Sequence, residues 1–565
     1  MRQAVPALLV LLLPACVAVV ESDDSVWALH EVDGPPCAEI DGERMLDHIR
    51  VLASDEFEGR GPATPGEEKT VDYLVRQLRA SGLEPGNPDG TFTQDVPLVG
   101  MRARASGSFH AAGREIPLRF GEDAVGLTRR FVPSVDVEGS EIVFVGYGVV
   151  APEYGWDDVK GADLKGKTIV MLVNDPPVAD PADPAKLDSK MFQGRAMTYY
   201  GRWTYKYEFA ASVGAAAAIV VHQTGTAGYP WTVVKSSWGA ENFEIDSADG
   251  NAGRAAVEGW ITLEKAKELF AACGQDFAAL EKAASTKDFR PVGLGATASF
   301  RVETEIRRVA SKNVVAKLTG SDPERRDEFV VYSAHWDHLG VTQGDGDQIH
   351  NGAVDNASGC AGMLEIARKF RLHGEPPARS ILFLWVTAEE KGLLGSKWYA
   401  AHPLYPLEKA LANVNMDSLN LWGPTSDIVC VGYGQSTLDD VLVRLAAEQG
   451  RTVVPDAEPE KGLYYRSDHF SFAKVGVPAL YADGGISVVG QTPGWGLAKS
   501  GEYTANDYHK PSDEVRSEWN LEGAVRDMEL LYRVGREVAE EDAWPRWKDG
   551  SEFRAAREAS LAPAR

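Results

Sequence analysis

From about residue 311 onward the sequence predicts an α/β domain whose central sheet is mostly parallel and flanked by helices, with a separate β-rich module ahead of it. Three observations carry this. The runs "EFVVYSAHWD", "SILFLWVTAEE", "LANVNMDSLNL" and "VPALYAD" alternate with helical stretches such as "NASGCAGMLEIARKF", and strands alternating with helices imply a parallel sheet. Between about 135 and 300 the text is different: "EIVFVGYGVV" and "GKTIVMLVND" are short β-prone runs with turn residues between them. Finally, 565 residues exceed a single-core domain, and 44% hydrophobic residues suffice for more than one core.

In chain order, the start "MRQAVPALLVLLLPACVAVVESDD" has an early Arg, an apolar run from Ala4 to Pro14 and small residues after it. Residues 1–20 therefore read as a secretory signal. The run is short for a membrane span of roughly 20 residues. "LPAC" resembles a bacterial lipoprotein cleavage box, so a lipid anchor at Cys16 and cleavage after Ala18 both stay open. The expected location is exported: periplasmic, secreted or anchored to the bacterial envelope.

Residues 40–134 form the first part of the main domain. Val71, Leu74, Val75 and Leu78 make one helical face, stopped by Gly82. Residues 135–303 are the β-rich module, where "KYEFAASVGAAAAIVVHQ" reads as a helix leading into a strand. Residues 304–543 complete the main domain and end in the helix "LEGAVRDMELLYRVGREVAEE", with Val525, Met528, Leu531 and Tyr532 on its apolar face. Residues 544–565 read as a mobile tail.

Lys plus Arg number 58 against 83 Asp plus Glu, a net charge of -25 that opposes non-specific attraction to nucleic acid or anionic lipid. Cys16, Cys37, Cys273, Cys360 and Cys430 show no short paired spacing of a thiolate zinc site or a dense disulfide framework. A bound metal must then take nitrogen and oxygen ligands.

Such residues gather at strand ends, where open α/β sheets bind ligands. One strand ends at His335, with Asp337 two residues on. Asp355 precedes a helix, Glu389 and Glu390 follow a buried strand, Asp417 ends another, and His509 comes from a loop. Singly, each has a plain explanation as a cap, turn or hydrogen-bonded core residue. Jointly, two imidazoles and three carboxylates match the needs of two hydrolytic zinc ions. Asp355 has two oxygens and can bridge a metal pair, and Asp337 is spaced to accept the other ring N–H of His335.

Six motifs in order, "SAHWDHLG", "GAVDNASGCAGMLEIAR", "TAEEKGLLGS", "NMDSL", "SDHFSFAKVGVPA" and "YHKPSDE", resemble the dinuclear zinc exopeptidase family of aminopeptidase Y, bacterial leucyl aminopeptidase and glutamate carboxypeptidase. The intervening "GADLKGKTIVMLVND" and "ASVGAAAAIVV" resemble its inserted protease-associated domain. The resemblance implies two zinc ions per chain, with Asp355 as bridge, His335 and Asp417 on one zinc, and Glu390 and His509 on the other. It implies Glu389 as general base, Asp337 as histidine orienter, a cis peptide from Asp355 to Asn356, and Tyr464, or else Tyr465, facing the oxyanion. His338 and His350 are expected around the ligands and His469 along the substrate pocket, each with structural hydrogen bonding as the alternative.

The expected function is hydrolysis at peptide ends, most simply as an aminopeptidase acting on peptide or protein substrates. A carboxypeptidase is the alternative, with Arg466 holding a substrate carboxylate. A non-catalytic receptor and a one-zinc glutaminyl cyclase of the same fold are disfavoured, because every ligand position and the base are occupied by competent residues. No G-x-S-x-G elbow of a serine hydrolase is present. Oligomeric state is not encoded in these motifs.

Overall fold

The computed structural model describes residues 39–342 and 344–562. The secretory signal, the Cys16 box and Cys37 lie outside the described residues. Those described fall within one compact unit.

Helices Gly42–Leu52 and Pro65–Ala80 pack first against the main domain. Asp41 caps the former by accepting from Glu43 N and Arg44 N, and the latter buries Val71, Leu74 and Leu78 as the sequence pattern requires. Gly82 follows at φ 73°, a left-handed residue that suits the end of a helix.

Among the described residues one sheet holds 16 strands. Its functional half places Ala410–Asn415, Phe329–His335 and Ser380–Val386 side by side and parallel. All residues of these three strands are buried, as expected for parallel strands covered on both faces. Below the sheet, helix Glu522–Glu540 lies so close that a Cβ on Gly535 would meet the Tyr332 hydroxyl oxygen at 1.9 Å. That hydroxyl donates to Leu531 O at 2.8 Å.

Strand Val292–Leu318 joins the two halves of the sheet. Its early residues pair antiparallel with Ser134–Phe144 and its last five with Ser380–Val386. The boundary expected at 303/304 thus falls inside a continuous strand, because the alternating run before it and the apolar run after it were read as separate elements. Beyond it, Thr168–Leu172, Ala217–His222 and Val257–Thr262 run parallel. Their side chains alternate between two cores: Val170, Leu172, Ile219 and Val221 in one, Ile169, Met171, Ala218 and Val220 in the other. Helices Trp203–Ser212 and Leu263–Ala272 accompany these strands, so the inserted segment is α/β in texture.

The expectation of a mobile tail is corrected. Helix Arg554–Leu561 closes the described chain, the Trp547 indole N–H donates to Gly476 O at 2.9 Å, and the Arg557 guanidinium donates to Ala410 O at 2.8 Å. Phe553 stacks on Tyr464. The aromatic anchors lie in polar text without periodicity, which hid them. Trp547→Ala should lower unfolding free energy by about 3–5 kcal/mol, read from urea denaturation; an unchanged midpoint would show that this segment carries no stability.

Candidate metal centre

The three parallel strands deliver their side chains to one end of the sheet. Strand Phe329–His335 ends at His335 itself. Glu389 and Glu390 occupy the turn between Ser380–Val386 and helix Leu394–Ala401, not the first turn of that helix. Asp417 follows Ala410–Asn415, and His509 follows helix Trp495–Asn506.

These residues converge. His335 Nε2 lies 3.2 Å from Asp417 Oδ1 and 3.4 Å from Asp355 Oδ1. The other Asp355 oxygen, Oδ2, is 3.3 Å from His509 Nε2, which in turn is 3.1 Å from Glu390 Oε2. Asp355 therefore presents one oxygen to each imidazole, the disposition of a bridging carboxylate. His335, Asp355 and Asp417 form one group with ligand atoms mutually close enough for an ion, and Asp355 and Glu390 form another with His338. Glu389 Oε2 is 4.0 Å from His335 Nε2, so it faces the same space. The peptide from Asp355 to Asn356 is cis, as expected.

His338 was expected only nearby, yet its Nδ1 lies 2.6 Å from Glu390 Oε1. The second position thus has two nitrogen donors within reach, His338 and His509. His350 sits behind, its ring 6.5 Å from that of His338. His469 is fully buried and packs edge-on against Tyr464.

Two expectations need correction. Asp337 does hold His335, but through its backbone carbonyl, 3.0 Å from Nδ1. Its carboxylate is 3.9 Å away and accepts instead from the backbone N–H of Glu389 at 3.0 Å, fixing the turn that carries Glu389 and Glu390. Tyr464 does not reach the centre: its hydroxyl is buried without a partner, and its ring fills the space over Gly432, where a Cβ would lie 2.2 Å from a ring carbon. Tyr465 points away as well, donating to Glu552 at 2.6 Å. The tyrosines that do line the cleft are Tyr481, Tyr503 and Tyr508; Tyr508 stacks on His509 at 3.8 Å.

The electrostatics follow from burying several carboxylates together. Burial alone would lower the His335 pKa, but Glu389, Asp417 and Asp355 outweigh it and raise it well above the ordinary imidazole value. His509 is likewise disfavoured by burial, yet Glu390 and Asp355 push it up to about 10. Burial raises Glu389, with Asp417 and Glu390 adding to it, so its carboxyl stands well above the usual range. The site demands positive charge. Its donor set, imidazole nitrogens and carboxylate oxygens without thiolate, fits zinc.

Supporting residues lock this geometry. Arg60, fully buried, donates to the carbonyls of Leu52, Trp336, Asn351 and Gly352, tying the His335 and Asp355 loops to the N-terminal helix. Asp513, in the same motif as His509, accepts from Val354 N and Asp355 N. Asn356 accepts from Ser418 N at 3.1 Å and donates to Met416 O, joining the loops of Asp355 and Asp417. Ala388, Ser418 and His509 hold left-handed φ of 52°, 65° and 59°, strain of about 1–3 kcal/mol each that the surrounding bonds sustain.

Residues 313–532 match the family model described as Peptidase family M28, which bears out the family resemblance of the six motifs. Leupeptin-inactivating enzyme 1 of Streptomyces exfoliatus is 28% identical over 211 residues, 36% of this chain and 43% of its own length. Aminopeptidase Y of Saccharomyces cerevisiae is 25% identical over 226 residues, 38% of this chain and 37% of its own. The chain thus spans less than half the length of these curated relatives. The solved aminopeptidase from Aneurinibacillus sp. strain AM-1 superposes with a TM-score of 0.51 at 19% identity, over 90% of this chain and 96% of that one, which shows a shared fold.

Arg60 gives a direct test of the scaffold. Arg60→Met strands four buried carbonyl acceptors and should destabilise the protein by about 3 kcal/mol or more, read from denaturant midpoints. A loss below about 1 kcal/mol would mean that water replaces the guanidinium.

Proposed function

We propose that the protein is a zinc-dependent metallo-exopeptidase, most simply an aminopeptidase, that cleaves residues from peptide ends. The observation that supports this is the convergence of His335, Asp355, Asp417, Glu390 and His509 around one space that Glu389 also faces. His335 with Asp417 would hold one ion, Glu390 with His509 the other, and Asp355 both; His338 stands in reserve at the second. Bound zinc supplies Lewis acidity and a water of lowered pKa.

The chain's own residues then manage the proton. Glu389 accepts a proton from the attacking water and passes it to the leaving nitrogen, which returns the carboxylate to its starting state. Asp337 holds that glutamate's backbone N–H and the imidazole of His335, so base and ligand keep a fixed relation. The cleft, with a cavity of ≈ 260 Å³, has acidic residues on its walls, including Asp456, Glu458 and Asp483, which suit a substrate's free amine.

The carboxypeptidase alternative is favoured by one feature, Arg466 on the same cleft wall. The inserted segment as a protease-associated domain, export by the N-terminal signal, and a lipid anchor at Cys16 belong to this proposal. Among the described residues no helix is long and apolar enough to cross a membrane.

Purified protein should contain about two zinc ions per chain by elemental analysis and lose peptidase activity to chelators. It should cleave free peptides and their C-terminal amides but not N-acetylated ones; the reverse preference would select the carboxypeptidase. Glu389→Gln should lower kcat about 10²–10⁴-fold with metal content unchanged. Retention of wild-type kcat would remove Glu389 from the mechanism.

A further inference from the structure

Asp417 is held through its backbone, and the contacts that hold it run back to the docked C-terminal segment. Its carbonyl accepts from the Tyr481 hydroxyl at 3.1 Å, and the next N–H, that of Ser418, donates to Asn356 Oδ1 at 3.1 Å. One peptide unit is thus fixed at both ends, and Asn356 directly follows the bridging Asp355. Tyr481 lies in strand Ala479–Asp483, opposite Asn415 on one side and Val431 on the other, and it lines the cleft. Behind it the rings continue. His469 packs on Tyr481 with 5.1 Å between centroids, Tyr464 meets His469 edge-on at 4.7 Å, and Phe553 stacks on Tyr464 at 5.7 Å. Trp547 lies 5.0 Å from Phe553. Burial lowers the His469 pKa to about 3, so this imidazole is neutral and packs as an aromatic ring. Tyr481, Tyr464, Phe553 and Trp547 belong to one buried cluster, each less than one-tenth exposed.

We propose that Tyr481 is a positioning residue for Asp417, and that the C-terminal segment around Trp547 and Phe553 sets its place through Tyr464 and His469. The inference rests on the metal-centre reading above and gives this segment a task beyond stability: its docking governs how tightly the Asp417 position holds metal. A ring enclosed by other rings in a close-packed core has few alternative positions, so the Tyr481 hydroxyl keeps a fixed direction toward Asp417 O. Removing the Phe553 ring opens space into which Tyr464 moves, with His469 and Tyr481 after it. The hydrogen bond to Asp417 O then weakens, and the carboxylate loses its fixed relation to His335. Groups that orient a ligating side chain tune the affinity of the metal it holds. Left-handed Ser418, at φ 65°, makes this peptide sensitive, since a residue held in that region needs its neighbours to keep it there.

The test is cobalt(II) binding to metal-free protein, followed by visible absorption, which reads affinity and ligand field without any substrate. Tyr481→Phe keeps the ring and removes the donor; it should weaken cobalt binding about three- to tenfold, the scale of one net hydrogen bond, and alter the absorption bands. Phe553→Leu should weaken binding in the same direction by about twofold or more. Phe277→Leu, in the core of the inserted segment, should lower the denaturation midpoint and leave cobalt binding unchanged. In the Tyr481→Phe background, Phe553→Leu should add little further, because the hydroxyl through which it acts is gone. Unchanged cobalt binding in Tyr481→Phe or in Phe553→Leu would overturn the proposal. So would fully additive effects of the two, or an equal loss in Phe277→Leu. Wild-type protein that takes up no cobalt would remove the metal centre itself, whereas normal uptake that these variants leave untouched would remove this proposal alone.

Discussion

The structure turns on buried negative charge. Asp355, Glu389, Glu390 and Asp417 crowd into one cleft, where unpaired carboxylates carry a heavy desolvation cost. Imidazoles at 3.1 to 3.4 Å offset part of it. An arrangement this costly calls for opposite charge, and each Asp355 oxygen faces a different imidazole. Parallel strands make the crowding possible, because three neighbouring carboxyl ends deliver side chains to a single edge of the sheet.

Holding like charges together requires a scaffold that resists their separation. Arg60 supplies it by donating to backbone carbonyls, so none of its hydrogen bonds is spent on Asp355, Glu390 or Asp417. Asp513 and Asn356 bind backbone groups of the Asp355 loop in the same spirit. Gly352, at φ 54°, is needed because a Cβ there would lie 2.3 Å from Asp355 O. The acidic edge is thus braced by neutral backbone bonds rather than by competing ion pairs.

What could be read from the sequence divides along these physical lines. His335, Asp355, Glu390, Asp417 and His509 were legible because each ends a strand or sits in a short motif, so chain order alone carried its placement. Arg60 was not, since its carbonyl partners lie up to 292 residues away and a carbonyl has no signature in the text. Asp513 stood inside a motif already noted, but its task depends on backbone N–H groups that only the folded loop exposes. Tyr464 failed for a related reason: the missing side chain at Gly432 admits its ring to the core, a complementarity between distant residues. The apolar rhythm showed the helices of the main domain but not the docked C-terminal segment, whose hold comes from isolated aromatics.

The continuous strand Val292–Leu318 bears on how the walls of the cleft are held. It pairs with the inserted segment at one end and with the strand before Glu389 at the other, so the two regions share a hydrogen-bonded ladder and not merely a flexible tether. At the cleft itself Met197 N donates to Pro459 O, Arg195 pairs with Glu460, and Tyr199 packs against Phe470. A wall tied down at these points and along the strand has little freedom to swing away without breaking them. Side chains from the inserted segment therefore stand beside the cleft as part of its folded structure.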